Sequence, residues 1–151
     1  MEFHREKSRV RAFHAALDAR DWPAAVRHVA PGCQWRGYHP FNELVGPEAP
    51  IERFWQPLHG SLSHLQRRED VFFAGLNEID GFTSTWVVSM GHFVGLFDAP
   101  FLGIPPTGKS ISINVIDIIR IAEGQFVEHW GVMDQMAMMQ QLGAMPEPGQ
   151  S

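Results

Sequence analysis

The sequence predicts one α+β domain, in which helices cover one face of a curved antiparallel sheet. Apolar residues at helical spacing are concentrated in the first 60 residues and near the end of the chain. Most of the second half consists instead of β-rich runs separated by Gly, Pro or Asn, and helices followed by such a meander are typical of α+β domains. The 151 residues, 44% of them apolar, suit a single domain over 1–143 with a flexible tail over 144–151.

Three helices are predicted in the first part of the chain, over 2–20, 22–29 and 49–58. Asp21 is a good N-cap for the second helix, which ends at Pro31-Gly32, and Gly60 closes the third. The predicted strands cover 33–38, 67–74, 83–97, 110–122 and 126–133. Two of them exceed the usual strand length, and Gly91 and Gly95 give the longer of these places to bend. A last helix over 135–142 begins after Asp134.

Composition and missing motifs exclude several classes of function. The net charge is −5 and the Lys and Arg residues are scattered, which argues against nucleic acid. No apolar run reaches the length of a membrane span or the core of a signal peptide. With Cys33 as its single cysteine the chain has no internal disulfide, so we expect a cytoplasmic protein. Cys33 could be a nucleophile, but we expect a small buried hydrophobe, which lone cysteines more often are. Metal-binding and nucleotide-binding spacings are also absent, which predicts no metal and no cofactor.

The segment 110–133 carries the candidate chemistry. Alternation places Asp117 on one face of a strand among five aliphatic residues, where burial of a carboxylate needs an explanation. If Ala122-Glu123-Gly124 forms a three-residue hairpin loop, Asp117 lies directly opposite His129, and Val115 lies opposite Gly131. A two-residue turn would instead break the pair.

An Asp117–His129 pair has two interpretations. The carboxylate could fix the imidazole tautomer and prepare it for proton transfer near neutral pH, while Gly131 leaves room for a ligand above the sheet. Alternatively, the pair is structural and belongs to the core. Phe13, Trp35 and Trp55 are candidate lining residues, although aromatic residues at this spacing are usually core. The methionines near the C-terminus form either an adaptable lid or the face of a docked helix.

Several segments resemble the SnoaL-like polyketide cyclases and the related ester cyclases. They are IIRIAEGQFVEHW followed by Asp134 and QLG at 141–143, together with GHFVG at 91–95, LGIPPTG at 102–108 and GPEAPIERFW at 46–55. The resemblance implies a cone-shaped fold like that of nuclear transport factor 2 and ketosteroid isomerase, with helices on a curved sheet that encloses a pocket. It also implies an oligomer, and ring closure by aldol condensation without a metal or an organic cofactor.

The resemblance carries over to the site only in part. His129 matches a histidine of the family, but the essential Asp two residues later is Gly131 here. A pocket Gln and His of the family fall at Val115 and Asp117. We therefore expect Asp117 and His129 to be catalytic, with Trp35, Val115, Gly131, Phe13 and Trp55 around the substrate. The expected activity is that of a cyclase, isomerase or hydratase acting on a small apolar carbonyl compound.

The alternative is a non-catalytic binding or interaction module on the same fold. In either case we expect a homodimer or a higher homo-oligomer, because one face of the sheet is covered by helices and the other still carries apolar residues.

Overall fold

The computed structural model describes residues 2–37 and 41–145, and it confirms the α+β class. Its helical elements are α1 (His4–Asp18), α2 (Trp22–Val26), α3 (Glu48–Pro50), a π-helical turn (Ile51–Trp55), α4 (Gln56–Ser61) and α5 (Gln135–Gln141). The strands are β1 (Val29–Arg36), β2 (Glu43–Val45), β3 (Leu62–Leu76), β4 (Thr85–Phe97), β5 (Ser110–Ala122) and β6 (Gln125–Met133). They form one curved, open sheet in the order β2-β1-β6-β5-β4-β3.

The sheet is mixed, because β1 runs parallel to β6 while all other neighbours are antiparallel. Strands β3 to β6 follow one another without a helix between them, and such direct connections favour antiparallel pairing. Strand β1 reaches β6 from the other end of the chain and is free of that constraint. The short β2 was not predicted, β1 begins four residues earlier than expected, and Tyr38 and residues 146–151 lie outside the described residues.

The inner face of β5 is as the sequence predicts. Its inward residues are all 8% exposed or less, namely Ile111, Ile113, Val115, Asp117, Ile119 and Ile121. Helix α1 packs on this side of the sheet, where its residue Phe13 contacts Phe126 of β6 at a ring distance of 5.1 Å. Burial of this apolar surface holds the helix on the sheet and encloses the one carboxylate of the row.

The β5–β6 hairpin differs from the predicted one. Ala122 pairs with Gln125 across a two-residue turn, in which Glu123 and Gly124 have φ of 52° and 75°. Positive φ at both positions is what a type I′ turn requires. The turn is therefore the two-residue alternative and not the three-residue loop.

A β-bulge then changes the register of the hairpin. Ile121 pairs with Phe126, but Arg120 pairs with Glu128, so Val127 is the extra residue on β6. Beyond the bulge Asp117 lies opposite Gly131, and Val115 lies opposite Met133. Both of these pairings differ from the expected ones.

Candidate active site

Asp117 and His129 form a buried hydrogen bond on the inner face of the sheet. His129 Nε2 lies 2.8 Å from Asp117 Oδ1, and the two residues are 5% and 0% exposed. They are diagonal neighbours rather than directly opposed, because Asp117 pairs with Gly131 and His129 with Ile119. The predicted contact is thus present, although the predicted register is wrong. The bulge at Val127 returns the His129 side chain to the inner face, which a two-residue turn alone would not do.

Arg67 of β3 is a third member of this group that the sequence did not indicate. Its Nη1 donates a hydrogen bond of 2.6 Å to Asp117 Oδ2, and its side chain is 5% exposed. Both faces of β3 carry charged residues near this position, so alternation does not reveal which of them is buried. Two bulges in the β3–β4 pairing, on either side of Arg67, set its direction.

The two contacts determine the charge state of Asp117. Burial by itself would raise the pKa of this carboxyl group, but the Arg67 charge and the His129 hydrogen bond outweigh it. The pKa of Asp117 therefore lies well below its usual range, and the group is a carboxylate at neutral pH. Both of its oxygens are engaged, one with each partner.

An ionised Asp117 fixes the orientation of His129. A carboxylate accepts only, so Nε2 of the imidazole carries the hydrogen of the shared bond. The neutral ring then has its lone pair on Nδ1, which has no hydrogen-bond partner among residues 2–37 and 41–145. In this arrangement Asp117 orients the imidazole, and His129 is the group placed to take up or give a proton.

A second polar cluster lies beside the first. Ser89, which pairs with Asp117 across β4 and β5, donates a hydrogen bond of 2.6 Å to Glu69 Oε2. His14 Nδ1 of α1 lies 3.7 Å from the same oxygen. The contact with His14 is the largest of the effects that lower the pKa of Glu69 to about 2, and it outweighs the opposing effect of burial. Burial, together with the positive charge of Arg67, lowers the pKa of His14 to about 4. A neutral His14 thus faces an ionised Glu69.

His129 lines a small interior cavity of about 20 Å³. The predicted lining residues Phe13, Trp35 and Trp55 surround the same space, and Cys33 also borders it. Val115 and Gly131 are buried, but neither is among the described residues of this lining. They lie farther along the strands, opposite Met133 and Asp117. A cavity of this size holds about one water molecule, so a larger ligand requires side chains to move.

A larger apolar cavity of about 540 Å³ lies on the other side of an aromatic layer. Its described lining consists of Phe41, Phe54, Phe101, Leu102, Ile104, Gln135, Met136, Met138, Met139 and Met145. Phe54 also packs on Trp35 and Trp55, at ring distances of 5.6 and 4.9 Å, and both tryptophans border the small cavity. These three rings therefore separate a ligand-sized space from His129.

The other candidates have little chemistry of their own. Burial raises the pKa of the Cys33 thiol to about 11, which agrees with a small buried hydrophobe and not with a nucleophile. No group of three metal-ligating side chains occurs within the part of the chain that the structure describes.

Among the residues that the structure describes, no helix is long and apolar enough to cross a membrane. The cytoplasmic location stays a prediction.

This chain belongs to the SnoaL-like polyketide cyclase family, whose model matches residues 7–142. That match covers most of the sequence and includes Arg67, Asp117 and His129. No curated protein matches the chain.

Solved structures share the fold at low sequence identity. AclR from Streptomyces galilaeus, a candidate hydroxylase, is 20% identical with a TM-score of 0.78, over 97% of this chain and 89% of that one. TsrD from Streptomyces laurentii is 24% identical with a TM-score of 0.75, over 96% and 99%. IdmH from Streptomyces antibioticus, a candidate polyketide cyclase, is 19% identical with a TM-score of 0.72, over 90% and 96%. At these identities the likeness concerns the fold.

Proposed function

We propose that this protein is a cofactor-independent enzyme that moves a proton on a small apolar carbonyl compound, as a cyclase, isomerase or hydratase. His129 takes the proton through Nδ1, and Asp117 holds the imidazole through Nε2. The observation that carries the proposal is that the Asp117-bound imidazole borders an interior cavity lined by aromatic rings.

The role of Asp117 in this proposal is to position His129. Each of its two oxygens already accepts a hydrogen bond, from Arg67 or from His129, and the residue is fully buried, so a substrate does not reach it directly. The substrate first occupies the apolar cavity beside α5. Movement of Trp35, Phe54 or Trp55 then admits its carbonyl end to His129.

Deuterium exchange tests the proposal without knowledge of the natural substrate. The probes are 2-tetralone and 2-acetylnaphthalene in D₂O, with loss of the proton signals next to the carbonyl followed by NMR. We expect exchange above the buffer rate, and a loss of about 10²–10⁴-fold in His129→Gln, as for removal of a general base.

The matched control is a second His–Asp pair outside the cavity. His92 Nδ1 lies 3.2 Å from Asp70 Oδ2, and both side chains are solvent-accessible. His92→Gln should therefore leave the exchange unchanged. Equal exchange by wild type and His129→Gln would contradict the proposal.

The second candidate function is non-catalytic binding of an apolar ligand. Its support is the difference in size between the cavities, since a space of about 540 Å³ holds a small molecule and one of about 20 Å³ does not. This function predicts binding of 2-acetylnaphthalene without any exchange. Met139→Lys, in the larger cavity, should weaken that binding, whereas Val45→Lys on the exposed β2 should not.

We also propose that the protein forms a homodimer through the outer face of the sheet. Several large apolar side chains there are at least one-third exposed, namely Val71, Phe73, Met90, Trp130 and Val132. Contiguous exposed apolar patches of this kind are typical of protein interfaces. Light scattering should give twice the mass of one chain, and Phe73→Lys should give the single-chain mass. A monomeric wild type would contradict the proposal.

A further inference from the structure

Arg67 has a second terminal nitrogen without a protein partner. Its Nη2 is buried and has no hydrogen-bond acceptor among the residues that the structure describes. The guanidinium carbon lies 4.6 Å from the centre of the Phe93 ring and 5.8 Å from that of Trp55, and neither ring supplies an oxygen. Buried N–H groups almost always have an acceptor, because leaving one unpaired is costly. A donor in this position suits an oxygen that arrives with a ligand.

Asp117 bonds Arg67 with one oxygen and His129 with the other, which explains why Nη2 of Arg67 has no carboxylate oxygen to bind. Arg–carboxylate pairs are frequently bidentate, with two parallel hydrogen bonds. Here Asp117 gives Oδ2 to Arg67 and Oδ1 to His129, so the guanidinium uses one terminal nitrogen on the carboxylate. The same carboxylate thus holds a cationic donor on one side and a proton acceptor on the other.

We infer that Arg67 Nη2 binds the carbonyl oxygen of the substrate and stabilises the enolate formed when His129 removes the neighbouring proton. This inference rests on the proposed function. In the step, the C–H bond next to the carbonyl breaks and its proton goes to His129 Nδ1. The electron pair of that bond forms the C=C bond, and the carbonyl π pair moves onto oxygen, where Arg67 donates to it.

Trp55 connects Arg67 to the cavity. This ring borders the small cavity together with His129, and it also lies against the guanidinium. A substrate that displaces Trp55 from the cavity wall would contact the imidazole and come within reach of the guanidinium that lies beside this ring. The inferred ligand class is therefore an apolar compound with an enolisable carbonyl, or an anion of the same shape.

Binding of a matched pair of probes tests the inference by calorimetry. The carboxylate 2-naphthoate resembles the enolate of 2-acetylnaphthalene in shape and charge, and the ketone itself is the neutral probe. Arg67→Lys keeps the positive charge but loses the forked donor. We expect it to weaken 2-naphthoate binding about 10- to 100-fold, as for loss of a hydrogen bond to a charged group. Binding of the neutral 2-acetylnaphthalene should weaken less, by about 2- to 10-fold, as for loss of an ordinary hydrogen bond. Arg68→Lys, next in sequence and exposed, should change neither.

Asp117→Asn provides a second variant with the opposite expectation. It removes the counter-charge of Arg67, so 2-naphthoate should bind more tightly than to wild type. If Arg67→Lys does not fold by circular dichroism, this result decides. Weaker or unchanged binding to Asp117→Asn would overturn the inference.

The inference and the proposed function fail separately. The inference is overturned, and the proposed function stands, if deuterium exchange requires His129 but Arg67→Lys binds 2-naphthoate as tightly as wild type does. Arg67-dependent binding of 2-naphthoate without any exchange supports the oxygen site and overturns the enzymatic proposal. No binding of 2-naphthoate to wild type overturns the inference.

Discussion

Asp117 and His129 lie one diagonal step apart on β5 and β6, and their side chains meet because a bulge precedes His129 by two residues. In the pairing next to the turn, His129 would face the outside of the sheet. The extra residue Val127 reverses the alternation, so that Phe126 and His129 are both buried although they are three residues apart. Bulges near active sites often redirect a side chain in this way.

Gly91→Ala should destabilise the domain much more than Gly75→Ala. A Cβ at Gly91 would lie 1.9 Å from the carbonyl oxygen of Arg68, whereas one at Gly75 would meet nothing within 4 Å. Gly91 pairs with Glu69 at the bulge of β3, so the clash also disturbs the strand that holds Arg67. We expect a loss of about 1–3 kcal/mol or more in the free energy of unfolding, measured in urea. Equal effects of the two substitutions would contradict this explanation.

The domain should lose stability as the pH falls from about 6.5 to 4. Burial lowers the pKa of both His14 and His59 to about 4, so over this range the unfolded chain binds more protons than the native state. The free energy of unfolding then decreases with falling pH, by up to about 3 kcal/mol for His14 alone. Urea unfolding between pH 8 and pH 4 measures the slope.

The contribution of His14 can be separated by substitution. His14→Gln should reduce the pH dependence, and His4→Gln, on the exposed first turn of α1, should retain it. A slope unaffected by His14→Gln would show that His14 is not buried as a neutral ring.

Gly131→Asp should be less stable than Gly131→Asn. The residue faces Asp117 directly across the two strands, where opposed side chains have Cβ atoms about 4.5–5.5 Å apart. A second carboxylate there would repel Asp117, at a cost of about 1–3 kcal/mol relative to the neutral amide. The comparison by urea unfolding at pH 7 isolates charge from size. Equal stability would mean that residue 131 does not face Asp117.

The inner face of β5 is predictable from the sequence because alternation there is unbroken. Six inward positions at a spacing of two identify the buried row, including Asp117. The family resemblance also predicts the fold correctly, because it depends on several long segments and not on single residues. His129 as the partner of Asp117 also follows, although by way of an incorrect loop.

The features that could not be predicted depend on bulges and on contacts distant in sequence. Glu123-Gly124 is compatible with either loop length, and alternation alone does not show that Val127 is extra. Arg67 is 50 residues from Asp117, and Gln66, Arg68 and Asp70 give the other face of β3 a similar polarity. The sequence therefore predicts that Asp117 orients the imidazole of His129, but it does not predict the ion pair with Arg67 that occupies the second carboxylate oxygen.

The tautomer of His129 tests the central claim most directly. Long-range ¹H–¹⁵N correlation spectra of the neutral imidazole, assigned by the loss of its signals in His129→Gln, distinguish a protonated ring nitrogen from an unprotonated one. If Asp117 holds the ring as described, Nε2 carries the proton and Nδ1 has the shift of an unprotonated nitrogen. A proton on Nδ1 would contradict the account, because the nitrogen assigned to accept the substrate proton would already be occupied.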